Sequence, residues 1–245
     1  MPNIYIGTSG FTYKHWQGIF YPKDLPEKDW LKFYSQKFNS VEINASFYHL
    51  LKATTYQRWA RETPKDFIFV LKASRYITHL QRLKTNLPTL DNFLQPAKDL
   101  KEKLNCILWQ LPAGLPADKK LLADFGKLLK SHPIAKNLRH AFEFRHQSWF
   151  HNNIYSILKF YNFALVIAHS HRWPVVIKST ASYVYLRFHG STLYASDYSM
   201  TELKKWASCG QKFLKENQDF YAFFNNDAQG FALKNALQFR ELLIF

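Results

Sequence analysis

The chain has 245 residues, 47% of them hydrophobic, which is ample for one sizeable core. Its two cysteines, Cys106 and Cys209, match no metal-ligand spacing and argue against a disulfide framework; no apolar run is long enough to span a bilayer, and Met1-Pro2-Asn3-Ile4-Tyr5 lacks the basic start and apolar run of a signal peptide. The expectation is a soluble, cytoplasmic protein with no membrane partner, whose net charge of +15 and pI of about 9.7 favour nucleic acid or small anionic ligands.

The elements in chain order alternate. Strand-like runs cover Ile4 to Thr8, Val41 to Ala45, Phe67 to Ala73, Cys106 to Leu111, His140 to Arg145, Phe163 to Ala168, Tyr183 to His189 and Phe220 to Asn225. Helical patterns lie at Trp30 to Phe38, Tyr56 to Glu62, Leu90 to Leu104, Ala117 to Lys130, Asn152 to Tyr161, Thr201 to Asn217 and Ala228 to Leu243. Such alternation predicts a parallel sheet, and eight strands in this length predict an α/β fold of the TIM-type (β/α)8 barrel kind. The sixth unit breaks the pattern, because Ser170 to Thr180 holds Pro174 and a β-branched run where a helix is due. A doubly wound open sheet is the alternative, although no glycine-rich nucleotide fingerprint follows any strand; no internal repeat or low-complexity linker appears, so residues 1–245 read as a single domain.

Several local signals sharpen this outline. Asp118 suits the first turn of its helix, and Pro64 should stop the second helix at Thr63. Leu233, Ala236, Leu237 and Arg240 recur at helical spacing, which makes the leucines core contacts. His132 and His140 lie away from the strand C-termini and read as structural. Lys127, Lys130 and Lys136 read as scattered solvated charges rather than a basic tail.

In such barrels the strand C-termini and the loops after them carry the active site. Those ends supply Thr8-Ser9-Gly10, Glu42 and Asn44, Lys72 and Ser74, Gln110, Glu143 and Arg145, His169, Arg187 and His189, then Asn225 and Asp227. Residues two apart on a strand share a face, so Glu42 with Asn44 and Arg187 with His189 are expected to point into one mouth. Earlier inward positions such as Ile68, Val70 and Phe223 are apolar, which confines the polar groups to one end. A purely structural alternative is an ion-pair network in which Glu42, Glu143 and Asp227 neutralise Lys72, Arg145 and Arg187.

A set of motifs, together and in order, resembles the YecE-like family, the domain of unknown function 72. They are Gly7-Thr8-Ser9-Gly10-Phe11 with Tyr13 and Trp16, Phe20-Tyr21-Pro22, Val41-Glu42-Ile43-Asn44 with Phe47-Tyr48, and Trp59 with Thr63-Pro64. Lys72 with Ile77-Thr78-His79, Gln110-Leu111-Pro112, Glu143-Phe144-Arg145 with Ser148-Trp149, Tyr185-Leu186-Arg187-Phe188-His189-Gly190 and Phe224-Asn225-Asn226-Asp227 with Gly230 continue it. The resemblance spans essentially the whole chain and implies a TIM-type barrel shaped like the endonuclease IV and xylose isomerase group. One position departs: similar sequences often carry an aspartate after the sixth strand, where this chain has Ala168-His169. An imidazole there can bind a metal or carry a proton in its place.

Glu42, Glu143, His189, Asp227, His79 and His169 come from different strands or loops, form no compact ligand motif and are mixed with cations, so no metal site is assigned and no cofactor is specified. An anion site is better supported. Arg145 and Arg187 can each clasp a phosphate or carboxylate, Lys72 adds a point charge, and Thr8 and Ser9 lie in a turn whose backbone can bind anions. Glu42 or Glu143 then serves as general base and His189 as acid, while Lys72 is also placed to form a Schiff base with a carbonyl substrate.

Asn44, Tyr48, Thr78, His79, Gln110, Trp149, Asn225 and Asp227 complete the expected binding set, and Phe11, Tyr13, Trp16, Phe47, Tyr194 and Tyr198 add aromatic faces that either stack on a ligand or pack the rim. The basic and aromatic loop Arg75 to Lys84 reads as a phosphate-backbone contact, a lid or a solvated loop. Three functional readings follow: an enzyme acting on a phosphorylated or nucleic-acid substrate, a non-catalytic nucleic-acid-binding module, and an isomerase or lyase acting on a small sugar-like carbonyl compound.

Overall fold

The computed structural model describes residues 1–190, 192 and 196–244; Tyr194 lies outside them. Eight strands, β1 (Ile4–Thr8), β2 (Ser40–Ile43), β3 (Ile68–Lys72), β4 (Leu104–Gln110), β5 (Arg139–Glu143), β6 (Ala164–His169), β7 (Tyr183–Phe188) and β8 (Asp219–Phe224), form one parallel sheet in the order β1-β8-β7-β6-β5-β4-β3-β2. A single parallel bridge between Ser9 and Glu42 brings the outer strands together and nearly closes the barrel. The longer intervening helices are α3 (Ala53–Glu62), α4 (Leu87–Ala97), α5 (Lys119–Ser131), α6 (Asn152–Tyr161), α7 (Met200–Lys215) and α8 (Phe231–Ile244); short α1 (Trp30–Tyr34) and α2 (Ala45–Tyr48) precede them. No helix occupies residues 170–182, so the sixth unit lacks its helix as the proline and β-branched run predict. Among the described residues no helix is long and apolar enough to cross a membrane.

The period-2 alternation of each strand divides the core in two. Inward-facing Ile68, Val70, Cys106, Leu108, Ala141, Ala164, Val166, Ala168, Tyr183, Tyr185, Tyr221 and Phe223 fill the barrel as one buried cluster. The alternate residues, such as Val41, Phe69, Trp109, Phe142 and Phe188, join the helices in the outer cluster. At the N-terminal end, Arg139 donates to Tyr221 Oη at 2.6 Å and to Asp219 Oδ2 at 2.5 Å, and its guanidinium lies 4.8 Å from the Tyr183 ring centroid. This ion pair occupies the foot of the barrel, and the polar groups of interest collect at the opposite end.

The β1–β2 seam is held largely by side chains. Tyr34 Oη accepts from Thr8 N–H at 2.9 Å and donates to the Ser40 carbonyl at 3.1 Å. Asn39 imitates a strand, accepting from Ile6 N–H at 3.2 Å and donating to Ile4 O at 2.7 Å. The approach is so close that a Cβ at Gly7 would sit 2.1 Å from Ser40 O. Only glycine fits that position without moving backbone.

Most local signals hold, with three shifts. Helix α3 stops at Glu62, and Thr63 before Pro64 is extended with its hydroxyl donating to Trp59 O at 2.9 Å. Asp118 caps α5 from the position before its first turn, accepting from Leu121 N–H at 2.9 Å. His140 is structural: Trp109 Nε1 donates to its Nδ1 at 3.0 Å, its Nε2 lies 2.9 Å from Ala135 O, and burial pulls its pKa down to about 3. The single helix expected over Leu90 to Leu104 instead ends at Ala97 and continues as a 3-10 segment, Lys98–Lys103, kinked where Lys101 has φ 56°. Helix α1 ends at Tyr34 rather than Phe38. Strand β2 ends at Ile43, and Asn44 turns into α2 with φ −87° and ψ −20°.

Gly7→Ala is expected to lower unfolding free energy by roughly 2–4 kcal/mol, because the added methyl must push apart two backbones. Gly114→Ala, where an added Cβ meets nothing within 4 Å, should stay within about 0.5 kcal/mol of the parent. Urea unfolding of the two variants measures the contrast.

Candidate functional site

The polar residues at the strand C-termini form an inner charge network and an outer open cavity. Arg187, 1% exposed, is the hub of the inner network. Its Nε and Nη2 donate to Glu42 Oε2 and Oε1 at 3.0 and 2.6 Å, and its Nη1 donates to Glu143 Oε2 at 2.5 Å. Glu42 also accepts from Ser9 Oγ and Tyr185 Oη, each at 2.6 Å. Glu143 Oε1 accepts from Arg145 Nε at 3.0 Å and lies 3.6 Å from His189 Nε2. Asn225 Nδ2, donating to His189 Nδ1 at 3.2 Å, leaves the ring proton on Nε2, facing Glu143.

The electrostatics follow from that geometry. Burial works to raise the Glu143 pKa, but Arg187, Arg145 and His189 outweigh it and hold the carboxyl well below the usual range. Burial likewise works against the Arg187 charge, and Glu42 and Glu143 overcome it and raise its pKa. His189 is held below its ordinary value by burial, against the pull of Glu143. The structural network anticipated from the sequence therefore exists, with Arg187 and Arg145 as its cations. Arg187, expected to clasp an external anion, gives all three guanidinium nitrogens to internal carboxylates.

Lys72 stands outside this network. Among the described residues its ammonium has no carboxylate within 4.0 Å, and its nearest recorded partner is the Phe47 ring, with Nζ 4.1 Å from the centroid. Burial, then the charge of Arg187, lowers its pKa to about 7; Glu143 and Glu42 oppose the shift and Arg145 adds to it. Lys72 opens on a cavity of about 520 Å³ that is also lined by Tyr13, Asn44, Tyr48, Asn225 and Asp227. Asp227 accepts from Trp16 Nε1 at 2.8 Å and meets His15 Nε2 at 3.0 Å, yet burial raises its pKa to about 6. Asn44 reaches the Ser9 carbonyl at 3.4 Å, while its Oδ1 is buried without a hydrogen-bond partner among the described residues.

The other expected residues are placed as follows. Thr8 Oγ1 donates to Gly10 O at 2.6 Å, within its turn. Thr78 Oγ1 lies 2.9 Å from His79 Nδ1, and His79 Nε2 lies 3.4 Å from Gln110 Nε2. Burial, Lys72 and Arg145 lower the His79 pKa to about 4. Tyr48 is an exposed rim residue, whereas Trp149 is buried, stacked on Phe144 at 4.4 Å and donating to Leu115 O. His169 does not join the mouth: its Nδ1 lies 2.6 Å from Tyr198 Oη and its ring packs on Trp206. Inward positions of β6 are Ala164, Val166 and Ala168, so the next residue faces the helices.

Sequence reasoning missed three contributors. Tyr185 carried a signal, since it shares the inward face of β7 with Arg187. His15 carried none beyond its place in the first loop. Trp173, in the helix-free connection after β6, lies over Arg145 at 4.6 Å. Among the described residues no group of three or more His, Cys, Asp or Glu side chains is arranged to hold a metal ion.

Glu42→Gln removes one of two charges facing a fully buried guanidinium and should cost about 3–5 kcal/mol of stability at neutral pH, read by urea unfolding. The depressed Glu143 pKa makes its contribution fully present above the ordinary value of 4.5 and lost as pH falls from there toward the folded value. Glu143→Gln should remove that part of the acid dependence.

The family profile described as "Protein of unknown function DUF72" matches residues 5–244. UPF0759 protein YunF of Bacillus subtilis (strain 168) is 27% identical, over 98% of this chain and 94% of YunF. The crystal structure of a DUF72 family protein from Thermotoga maritima MSB8 is 30% identical with a TM-score of 0.87, covering 99% of this chain and all of that one. A xylose isomerase-like TIM barrel/4-hydroxyphenylpyruvate dioxygenase fusion protein shares the fold alone, with a TM-score of 0.55 at 12% identity over 100% of this chain and 42% of that one. The profile match runs from the first strand through the last helix, so this chain belongs to the DUF72 family.

Proposed function

We propose that the barrel mouth is the active site of an enzyme acting on a small carbonyl compound, with Lys72 as the attacking amine and Asp227 as the proton carrier. The observation that carries this reading is the buried Lys72, which has no carboxylate within 4.0 Å among the described residues and opens on the cavity. An amine nucleophile must be neutral, and burial beside Arg187 and Arg145 favours that form near neutral pH. Asp227, across the same cavity, is shifted upward and so keeps a protonated fraction near pH 6. Two groups displaced toward each other in this way suit proton transfer to and from one substrate.

The step balances without another reactant. The Lys72 lone pair forms the C–N bond, the carbonyl π electrons move to oxygen, and Asp227 supplies the proton that makes a carbinolamine. Loss of water then leaves a protonated imine on Lys72. Glu42, Glu143 and Arg187 form the rigid floor beneath this chemistry, and His189 is held against that floor by Asn225 and Glu143.

A phosphorylated or nucleic-acid substrate has the +15 charge in its favour, together with Arg82, Lys84, Lys119 and Lys120 around a groove outside the barrel. The commitment of Arg187 to Glu42 and Glu143 subtracts the cation that this reading needs most in the mouth.

Reductive trapping with glycolaldehyde and cyanoborohydride, read by peptide mass spectrometry, tests the proposal. Lys72 should label ahead of Lys127, with a rate maximum between pH 6 and 7, since attack needs neutral Lys72 and protonated Asp227. The groups whose charge sets that window are Arg187, Arg145, Glu42 and Glu143 around Lys72, and His15 beside Asp227, while His79, its pKa lowered to about 4, is uncharged there. Labelling of Lys72 no faster than Lys127 at every pH would sink the reading.

Stability gives an independent check. Because the folded pKa lies below 10.5, the charged lysine penalises the fold fully below about pH 7, and the penalty fades as pH rises toward 10.5. Lys72→Met should therefore be the more stable protein at pH 6, by on the order of 3 kcal/mol, with the gap closing at alkaline pH.

A further inference from the structure

The two arginines at the mouth differ in how much of their hydrogen-bonding capacity is spent. Every guanidinium nitrogen of Arg187 is bound to a carboxylate. Arg145 commits only Nε, to Glu143, and its two terminal nitrogens make no hydrogen bond among the described residues. Its side chain is 14% exposed, against 1% for Arg187.

The unused edge of Arg145 is also held in place. Glu143 fixes one side of the guanidinium, and the Trp173 ring lies over it at 4.6 Å. A planar fork held on one edge and one face loses little freedom when a carboxylate docks on the other edge. Trp173 carries a further buried donor, an Nε1–H without a hydrogen-bond partner among the described residues. A buried indole N–H left unmated is costly unless a ligand completes it.

Strand order sets the reach. Lys72 ends β3 and Arg145 follows β5, with β4 between them. Strands spaced by about 4.8 Å put β3 and β5 roughly 10 Å apart, and Arg145 lies near enough for its charge to act on Lys72. The two terminal nitrogens of Arg145 present a fork whose parallel N–H groups match the two oxygens of a carboxylate.

Resting on the carbonyl reading above, we infer that the substrate is a 2-oxo acid whose carboxylate docks on Arg145 beside Trp173 and whose keto carbon faces Lys72 Nζ. Such an acid carries one function for each side chain: a carboxylate for the guanidinium fork and a ketone for the amine. Neutral sugars and simple aldehydes leave the Arg145 fork empty.

The test compares pyruvate with hydroxyacetone, its neutral analogue, in borohydride trapping followed by peptide mapping. Wild type, Arg145→Gln, Arg145→Lys and Lys127→Ala are run together, with oxalate and inorganic phosphate as competitors. In wild type and Lys127→Ala, Lys72 should label about tenfold faster with pyruvate than with hydroxyacetone, the equivalent of one charge-assisted hydrogen bond. Oxalate should protect Lys72 at concentrations where phosphate does not. Both Arg145 variants should bring the pyruvate-to-hydroxyacetone ratio close to one, since lysine keeps the charge and loses the fork; Glu143 stays paired with Arg187, so the barrel is expected to fold.

Equal labelling by the two ketones in wild type, or a preference that survives Arg145→Gln, would overturn the 2-oxo acid while leaving the carbonyl reading in place. Protection by phosphate ahead of oxalate would replace the carboxylate by a phosphorylated carbonyl compound. Absence of any ketone adduct on Lys72 would overturn both proposals.

Discussion

The mouth of this barrel depends on one guanidinium. Arg187 joins Glu42 of β2 to Glu143 of β5 from β7, so its charge ties together three strands that are not neighbours in the sheet. Taking three charges out of water is costly, and it is repaid only when each nitrogen and oxygen finds a partner. Ser9, Tyr185 and Arg145 supply the remaining hydrogen bonds to the carboxylates, which is why these residues line the same end of the barrel. The result is a floor whose geometry is fixed by saturation rather than by packing alone.

That floor defines what is left over. Two carboxylates face Arg187 and Arg145, and the buried Lys72 is left to an aromatic ring as its nearest partner. Its neighbouring cations and its burial act in the same direction, toward the neutral amine. Asp227 is removed from the network by Trp16 and His15, which bind it to the first loop and leave it facing Lys72 across the cavity. The separation of an inert charged floor from a titratable rim is the feature that favours chemistry over simple anion storage.

The same end of the barrel carries the closure of the sheet. Ser9 both bridges β1 to β2 and donates to Glu42, so the last ladder contact and the charge network share a residue. Below it, Gly7, Tyr34 and Asn39 replace a regular ladder by side-chain bonds and close backbone contact. Loosening that seam moves Glu42 relative to Arg187, which couples barrel closure to the shape of the mouth.

Much of this was legible in residue order. Strand alternation with helical spacing was enough for the barrel, the break at Pro174 for the missing sixth helix, and the polar strand ends for the location of the mouth. The inward series Tyr183, Tyr185, Arg187 and His189 follows from period-2 geometry alone, and the same rule applied to β6 assigns His169 to the outside. Asn44 escaped that rule because the chain leaves the strand at Ile43 and turns into α2, which is tied to β3 where Ser46 Oγ donates to Lys72 O. Which charges meet across the barrel was not legible, since pairing depends on distances between strands far apart in sequence. Only the folded barrel assigned Arg187 to two glutamates, left Lys72 without an ion-pair partner among the described residues and laid Trp173 over Arg145. A sequence determines which side chains arrive at a strand's end, whereas closure of the sheet determines which of them touch.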